Sequence, residues 1–239
     1  AFDLTAPTSD SDGAFTYTSS EAGVATVTSG GTVTIVGVGS TTITATQAAS
    51  GNYNGGSVTA SLVVSPIAPT IGALTAPAKN FGDAAFNLTA PTSTSGGAFT
   101  YTSSAEGVAT VTSGGTVTIV GAGSTTITAT QAATTNYTGG SVTASLVVSP
   151  IAPTIGALTA PAKNFGDAAF NLTAPTSTSG GAFTYTSSAE GVATVTSGGT
   201  VTIVGAGSTT ITATQAATTN YTGGSVTASL VVSPVAPTI

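Results

Sequence analysis

The sequence predicts an all-β protein built from sandwich modules in tandem, and three observations carry that reading. A unit of 84 residues recurs almost letter for letter, with AFDLTAPT beginning at Ala1 and AFNLTAPT at Ala85 and again at Ala169. Thr and Val alternate through the periodic segments, which is the pattern of a half-buried strand. Clusters of Gly, Ser, Asn and Pro punctuate those segments, and helix signals are missing throughout.

The middle copy shows the elements in order. Phe99-Thr100-Tyr101-Thr102 alternates with a period of two, as a strand with one buried face does. Ala109 to Ile119 reads as a hairpin, with Gly114-Gly115 supplying the positive φ angles of a tight two-residue turn, and Gly30-Gly31 and Gly198-Gly199 repeat it. In Thr116-Val117-Thr118-Ile119 one face is apolar and the other carries hydroxyls. A turn at Gly121-Ala122-Gly123 leads to a strand over Ser124–Thr130, and Val142 to Leu146 alternates in the same way. About seven short strands per unit, roughly 8–12 residues apart, fit a β-sandwich. The expected core is Phe86, Leu88, Phe99, Tyr101, Val108, Val111, Val117, Ile119, Ile127, Ala129, Tyr137, Leu146 and Val148.

Composition sets the limits. Only 4% of the 239 residues are charged while 40% are hydrophobic, so each unit can build a core and the charge-rich composition of a disordered chain is absent. Eight acids and two lysines give a net charge of −6, which leaves no basic patch to grip phosphates or an anionic membrane. There is no Cys, His, Trp or Met. Disulfides, His or Cys zinc sites and imidazole catalysis are therefore excluded, no cofactor is implied, and no nucleophile–base pair points to an enzyme. No apolar run approaches the ~20 residues of a membrane helix.

Residues 169–239 differ from 85–155 only in Val235 for Ile151, whereas 1–71 differ from 85–155 at nine positions. Of those nine, Val38/Ala122 alone exchanges apolar side chains, and most of the rest fall in expected loops. Ser65-Pro66-Ile67-Ala68-Pro69-Thr70 and its counterpart Ser149–Thr154 join the units, and two prolines in each favour an extended, stiff connection. Boundaries placed there give modules 1–66, 67–150 and 151–234, with 235–239 beginning another. The first lacks the strand that Ile67–Asp83 gives the second, so the chain reads as a window from a longer or processed polypeptide. The array should be an extended rod.

The run from Phe99 through Val-Ala-Thr-Val, Gly-Gly-Thr-Val-Thr-Ile-Val-Gly-Ala-Gly-Ser-Thr-Thr-Ile-Thr-Ala to Thr130 resembles the bacterial immunoglobulin-like domain, group 2. Tyr101 stands where that family usually has Trp, and Gly82-Asp83 and Gly166-Asp167 match its Gly-Asp pair. The resemblance implies immunoglobulin-like β-sandwich modules used as spacers or adhesive units. It places such a chain in surface adhesins of the intimin and invasin kind, in other secreted repeat proteins, or on phage particles.

Several residues are candidates for chemistry. Asp10 and Asp12 precede Gly13 as carboxylates of a calcium loop would, but the other copies carry no acid there and a polar turn accounts for them. Lys79 and Lys163, with Asp83, Glu106, Asp167 and Glu190, are candidate isopeptide partners, set against plain surface charge. Asn87, Asn136, Asn171 and Asn220 head glycosylation sequons. Tyr53, Tyr137 and Tyr221 are candidate sugar-stacking residues or loop anchors, and the Thr-x-Thr arrays suggest an ice-binding face, against their ordinary use as strand formers.

The function expected is an extracellular structural or adhesive repeat protein at a bacterial cell surface, a stiff spacer. Its partners would be neighbouring modules or copies of the same protein, with surface glycans or a host-cell ligand bound outside this chain, and no nucleic acid or membrane insertion. A virion decoration or fibre component, and a filament subunit exchanging strands between chains, are the alternatives.

Overall fold

The computed structural model describes residues 1–239, and every regular element in it is a β-strand. By compactness the chain divides into two units. One comprises Ala1–Leu74, Thr89–Tyr101 and Thr128–Thr143; the other comprises Thr75–Leu88, Thr102–Ile127 and Ala144–Ile239.

The second unit contains the third repeat whole, and there the sandwich is complete. Its larger sheet runs Lys163–Asn164, Gly224–Ser233, Gly207–Gln215, Phe183–Ser187. The long pair is antiparallel from Gly207↔Val232 to Gln215↔Gly224, and the short Lys163–Asn164 strand joins Val232 and Ser233 in parallel. The smaller sheet runs Phe170–Asn171, Thr200–Ile203, Ala193–Val195. Period-two alternation fixes which side chains face inward: along Gly207–Gln215, Thr209, Ile211, Ala213 and Gln215 are buried and their neighbours are not. Between the sheets lie Leu158, Tyr185, Ala193, Val201, Ile211, Ala213, Leu230 and Val232.

The middle repeat has the same strand orders. Of its expected core, Tyr101, Val117, Ile127, Ala129, Leu146 and Val148 are buried, while Phe86, Leu88, Phe99, Val108, Val111, Ile119 and Tyr137 are half-buried. Leu74 and Ala109 are also buried. Ala109 is small enough for strands to close over it, which is why a search for large apolar residues passes it by.

The Gly-Gly hairpin departs from the two-residue turn expected. Gly115 has φ of 91°, but Gly114 is not in the left-handed region. Gly115 donates to the Thr112 carbonyl and Thr112 in turn donates to Thr116, so the loop is Ser113-Gly114-Gly115, a turn followed by a left-handed bulge residue. The third copy shows why that residue is glycine: at Gly199 φ is 89° and an added Cβ would sit 3.1 Å from the Tyr185 ring.

In the first unit, the first repeat keeps both sheets but with fewer strands in the larger one, which runs Phe15–Ser19, Gly39–Gln47, Gly56–Val64. Its buried cluster is Tyr17, Ile43 and Ala45, with Leu4, Phe15, Val27 and Leu62 partly buried against it. Leu62 is half-buried where Leu230 of the third repeat is fully enclosed.

Candidate functional site

The connection between consecutive repeats is built by two short sequences, the Pro-flanked Ile of the connector and the Asn-Tyr loop of the repeat that follows. Ile151 donates its N–H to the Asn220 carbonyl at 3.2 Å and accepts from Thr222 N–H at 2.8 Å, a parallel bridge to Tyr221. Prolines on either side fix the segment as extended, so the Ile backbone is presented ready for pairing. The Asn220 side chain then reaches back into the middle repeat, where its Oδ1 accepts from the Ala122 N–H at 2.8 Å. Tyr221 meets Phe81 edge to face, with centroids 5.6 Å apart and planes at 75°. Ala122 and Gly121 are both buried there. A Cβ on Gly121 would stand 3.2 Å from Asn220 Oδ1 and 2.7 Å from the Gly107 carbonyl, so the close approach requires glycine.

The connection between the first and middle repeats uses the same Ile pairing and the same Asn side chain. Ile67 donates to the Asn136 carbonyl at 3.2 Å, accepts from Thr138 at 2.9 Å and bridges Tyr137. Asn136 Oδ1 accepts from the Val38 N–H, here at 3.3 Å. Val38/Ala122, the one apolar exchange between the copies, therefore falls at this contact: the smaller Ala goes with the shorter hydrogen bond.

The candidate residues read from sequence are distributed as follows. Asn136 and Asn220 are these reach-back side chains, and Asn87 and Asn171 accept from Thr116 and Thr200 hydroxyls at 2.8 Å. Tyr221 is held against Phe81, Tyr137 is half-buried and Tyr53 is exposed. Asp12 accepts from the Ser50 hydroxyl at 2.6 Å, and no group of three or more Asp or Glu side chains gathers with Asp10 or elsewhere to hold a metal. The Lys79 and Lys163 amines lie 4.7 Å from the ring centroids of Phe86 and Phe170. Asp83 and Asp167 turn back to accept from Asn80 and Asn164 N–H groups at 2.8 Å, closing their own turns. Outward threonines pair across strands, Thr184 with Thr214 and Thr212 with Thr227, as ordinary hydroxyl ladders do.

Two sets of working residues escaped the sequence reading. The reach-back role of Asn136 and Asn220 was hidden behind their sequons. Gln131 and Gln215, each 2% exposed, were passed over as polar. Gln215 Nε2 donates to the Ser179 and Gly181 carbonyls at 3.0 and 2.8 Å, and its Oε1 accepts from Ser177 Oγ at 2.7 Å. The signal was present: Ile211, Ala213 and Gln215 share one strand phase. No buried side-chain polar atom lacks a partner.

No helix is long and apolar enough to cross a membrane. No curated protein matches the sequence. Among solved structures, Drosophila N-cadherin EC1-3 aligns with 98% of this chain and 92% of its own at 13% identity and a TM-score of 0.34. Domains 1-6 of the surface layer protein SbsC align over 95% of this chain at 19% identity and a TM-score of 0.29; this chain spans 36% of that one. Drosophila OTK extracellular domains 3-5 align over 91% and 84% at 10% identity and a TM-score of 0.37. Likenesses at these scores carry no argument about function. The intimin immunoglobulin-like domain, in contrast, matches three segments, residues 6–49, 86–133 and 170–217, one in each copy and together more than half of the chain. With the sandwich, the copy number and the Gly-hairpin strands all in agreement, the chain belongs to the intimin immunoglobulin-like domain family.

Proposed function

We propose that this chain is a spacer section of a bacterial surface adhesin, a stiff run of immunoglobulin-like modules that carries a binding tip at a distance and catalyses nothing. The observation that supports it most is the duplicated connection: a connector Ile paired with the next repeat, and an Asn side chain of that repeat hydrogen-bonded to the one before. Such contacts restrict the bend at each joint, which is what a spacer needs and a string of loosely tethered domains lacks. Sparse charge suits exposure to variable media, because there is little Coulomb energy for salt to screen.

The partners in this reading are neighbouring modules, with glycans or host-cell ligands met by regions outside Ala1–Ile239. Antibodies raised against the chain should label intact cells that make it, and external protease should remove the label. Label that appears only after the cells are broken open would refute surface display.

A further inference from the structure

The third repeat has four outer strands, and three of them are blunted. Lys163–Asn164 and Phe170–Asn171 are two residues long, the former with a lysine, and Ala193–Val195 is three. Short length and charge are devices that keep a sheet edge from pairing with another chain. The fourth outer strand, Phe183–Ser187, has neither. It is five residues long, holds no charge and no proline, and pairs with Gly207–Gln215 in unbroken register from Phe183↔Gln215 to Ser187↔Ile211, without a bulge. The same five residues, Phe-Thr-Tyr-Thr-Ser, form the outer strands Phe15–Ser19 and Phe99–Ser103 of the other repeats. The middle repeat has a repeat on either side of it in sequence, so the free edge is a property of the module.

Alternation along the strand sets which backbone groups are unused. Ser188 donates to the Thr210 carbonyl and Ala216 to that of Ala182, so the backbone groups of Ala182, Thr184, Thr186 and Ser188 face Gly207–Gln215. Those of Phe183, Tyr185 and Ser187 face the other way, where no strand and no isolated bridge meets them. Three N–H and three C=O groups therefore stand in one row, centred on Tyr185.

We infer that this row pairs with the same row of a second copy, antiparallel about a two-fold axis at Tyr185. The odd length of the strand and its phase make the edge complementary to itself, so the contact is isologous and needs no other surface. Tyr185 of each copy exchanges two hydrogen bonds with Tyr185 of the other, and Phe183 exchanges two with Ser187 at each end, which satisfies every group in both rows. On the outer face Thr184 stands opposite Thr186 of the second copy, a hydroxyl pair like that of Thr186 and Thr212 within one sheet. Charge decides which repeats take part. Two-fold pairing brings the segment before the strand in one copy close to the segment after it in the other. In the third repeat the first of these, Thr178–Gly181, holds no acid, and the second, Ala189–Gly191, holds Glu190; the middle repeat has the same sequence there. In the first repeat both are acidic, with Asp10 and Asp12 before the strand and Glu21 after it, so like charges would meet. The middle and third repeats pair and the first does not. Such pairing joins chains free in solution and does not depend on display at a cell surface.

Sedimentation velocity of the full chain at concentrations raised to about 1 mM, with amide hydrogen exchange on the same samples, is the test. The expected result is a mass that grows with concentration and exchange that slows on association at Phe183, Tyr185 and Ser187, while Thr184 and Thr186, bonded within the sheet, are protected throughout. Combining Thr100→Lys, Thr102→Lys, Thr184→Lys and Thr186→Lys sets like charges opposite each other across the axis and should hold the chain monomeric with its far-ultraviolet dichroism unchanged. Gly96→Asp with Gly180→Asp, where an added Cβ meets nothing within 4 Å, gives these repeats the acid that the first carries at Asp12. That pair should weaken association several-fold at an ionic strength of about 0.01 M and restore it at about 1 M, where the screening length is about 3 Å. A chain monomeric at about 1 mM, association that survives the lysine substitutions or ignores the aspartate ones, or association without slowed exchange at those three amides would overturn the inference.

Discussion

At the scale of single residues, the molecule rests on small polar groups used inside an apolar frame. Replacing Gln215 by Leu would strand the Ser179 and Gly181 carbonyls and the Ser177 hydroxyl, and leaving buried polar groups unmade costs about 1–3 kcal/mol each. We expect a loss of at least about 2 kcal/mol in chemical denaturation of the third repeat. Gln47→Leu should cost less, because Gln47 makes the same bonds while half-buried in the open first repeat. Tyr101 offers a pH handle: burial raises its phenol above the ordinary value. The folded state therefore holds that proton more tightly than the unfolded one. The associated stability is complete below about pH 10 and is lost as pH rises through the folded pKa, and Tyr101→Phe should flatten that part of the alkaline decline in a melting-temperature series. Core residues such as Ile127 and Val117 were legible from alternation alone. Gln131 was not, because hydropathy was read ahead of strand phase.

At the scale of elements, the strands follow the sequence closely and the connections do not. Phe99–Ser103 and Thr116–Ile119 lie where alternation puts them, and the strands expected at Ser124–Thr130 and Val142–Leu146 extend to Gly123–Gln131 and Gly140–Ser149. The hairpin loop differs because a Gly-Gly pair fits more than one turn geometry; the Tyr ring close to the positive-φ position leaves room there for glycine alone. Prolines alone suggested a stiff connector; the structure adds pairing of Ile67 and Ile151 to the following Asn-Tyr loop, a long-range contact that no local pattern encodes. Asn220→Ala should leave the Ala122 N–H without its partner, and such a hydrogen bond contributes about 1 kcal/mol. The expected outcome is greater motion between the middle and third repeats in residual dipolar couplings, with the unfolding midpoint of the third sandwich little changed. Unaltered couplings would show that the Asn side chain does not hold the joint.

At the scale of the whole molecule, the near-identity of the copies makes both order and hazard. Both joints share the Ile–Asn pairing and the Asn side chain that reaches back, so stiffness proposed for one joint on those contacts applies to the next. The same identity is a hazard, because near-identical neighbouring repeats can exchange parts as they fold. Family and fold class were legible because the Val-Ala-Thr-Val and Gly-x-Gly strands recur in each copy. The joints were not, because their chemistry is divided between residues about 70–140 positions apart and rests largely on backbone groups that sequence does not distinguish. Small-angle X-ray scattering of the intact chain tests the proposed spacer most directly. The expected result is a rod-like profile with the cross-section of one sandwich and a length set by three of them in line. A compact profile, or one that fits only a broad ensemble of bent chains, would contradict it.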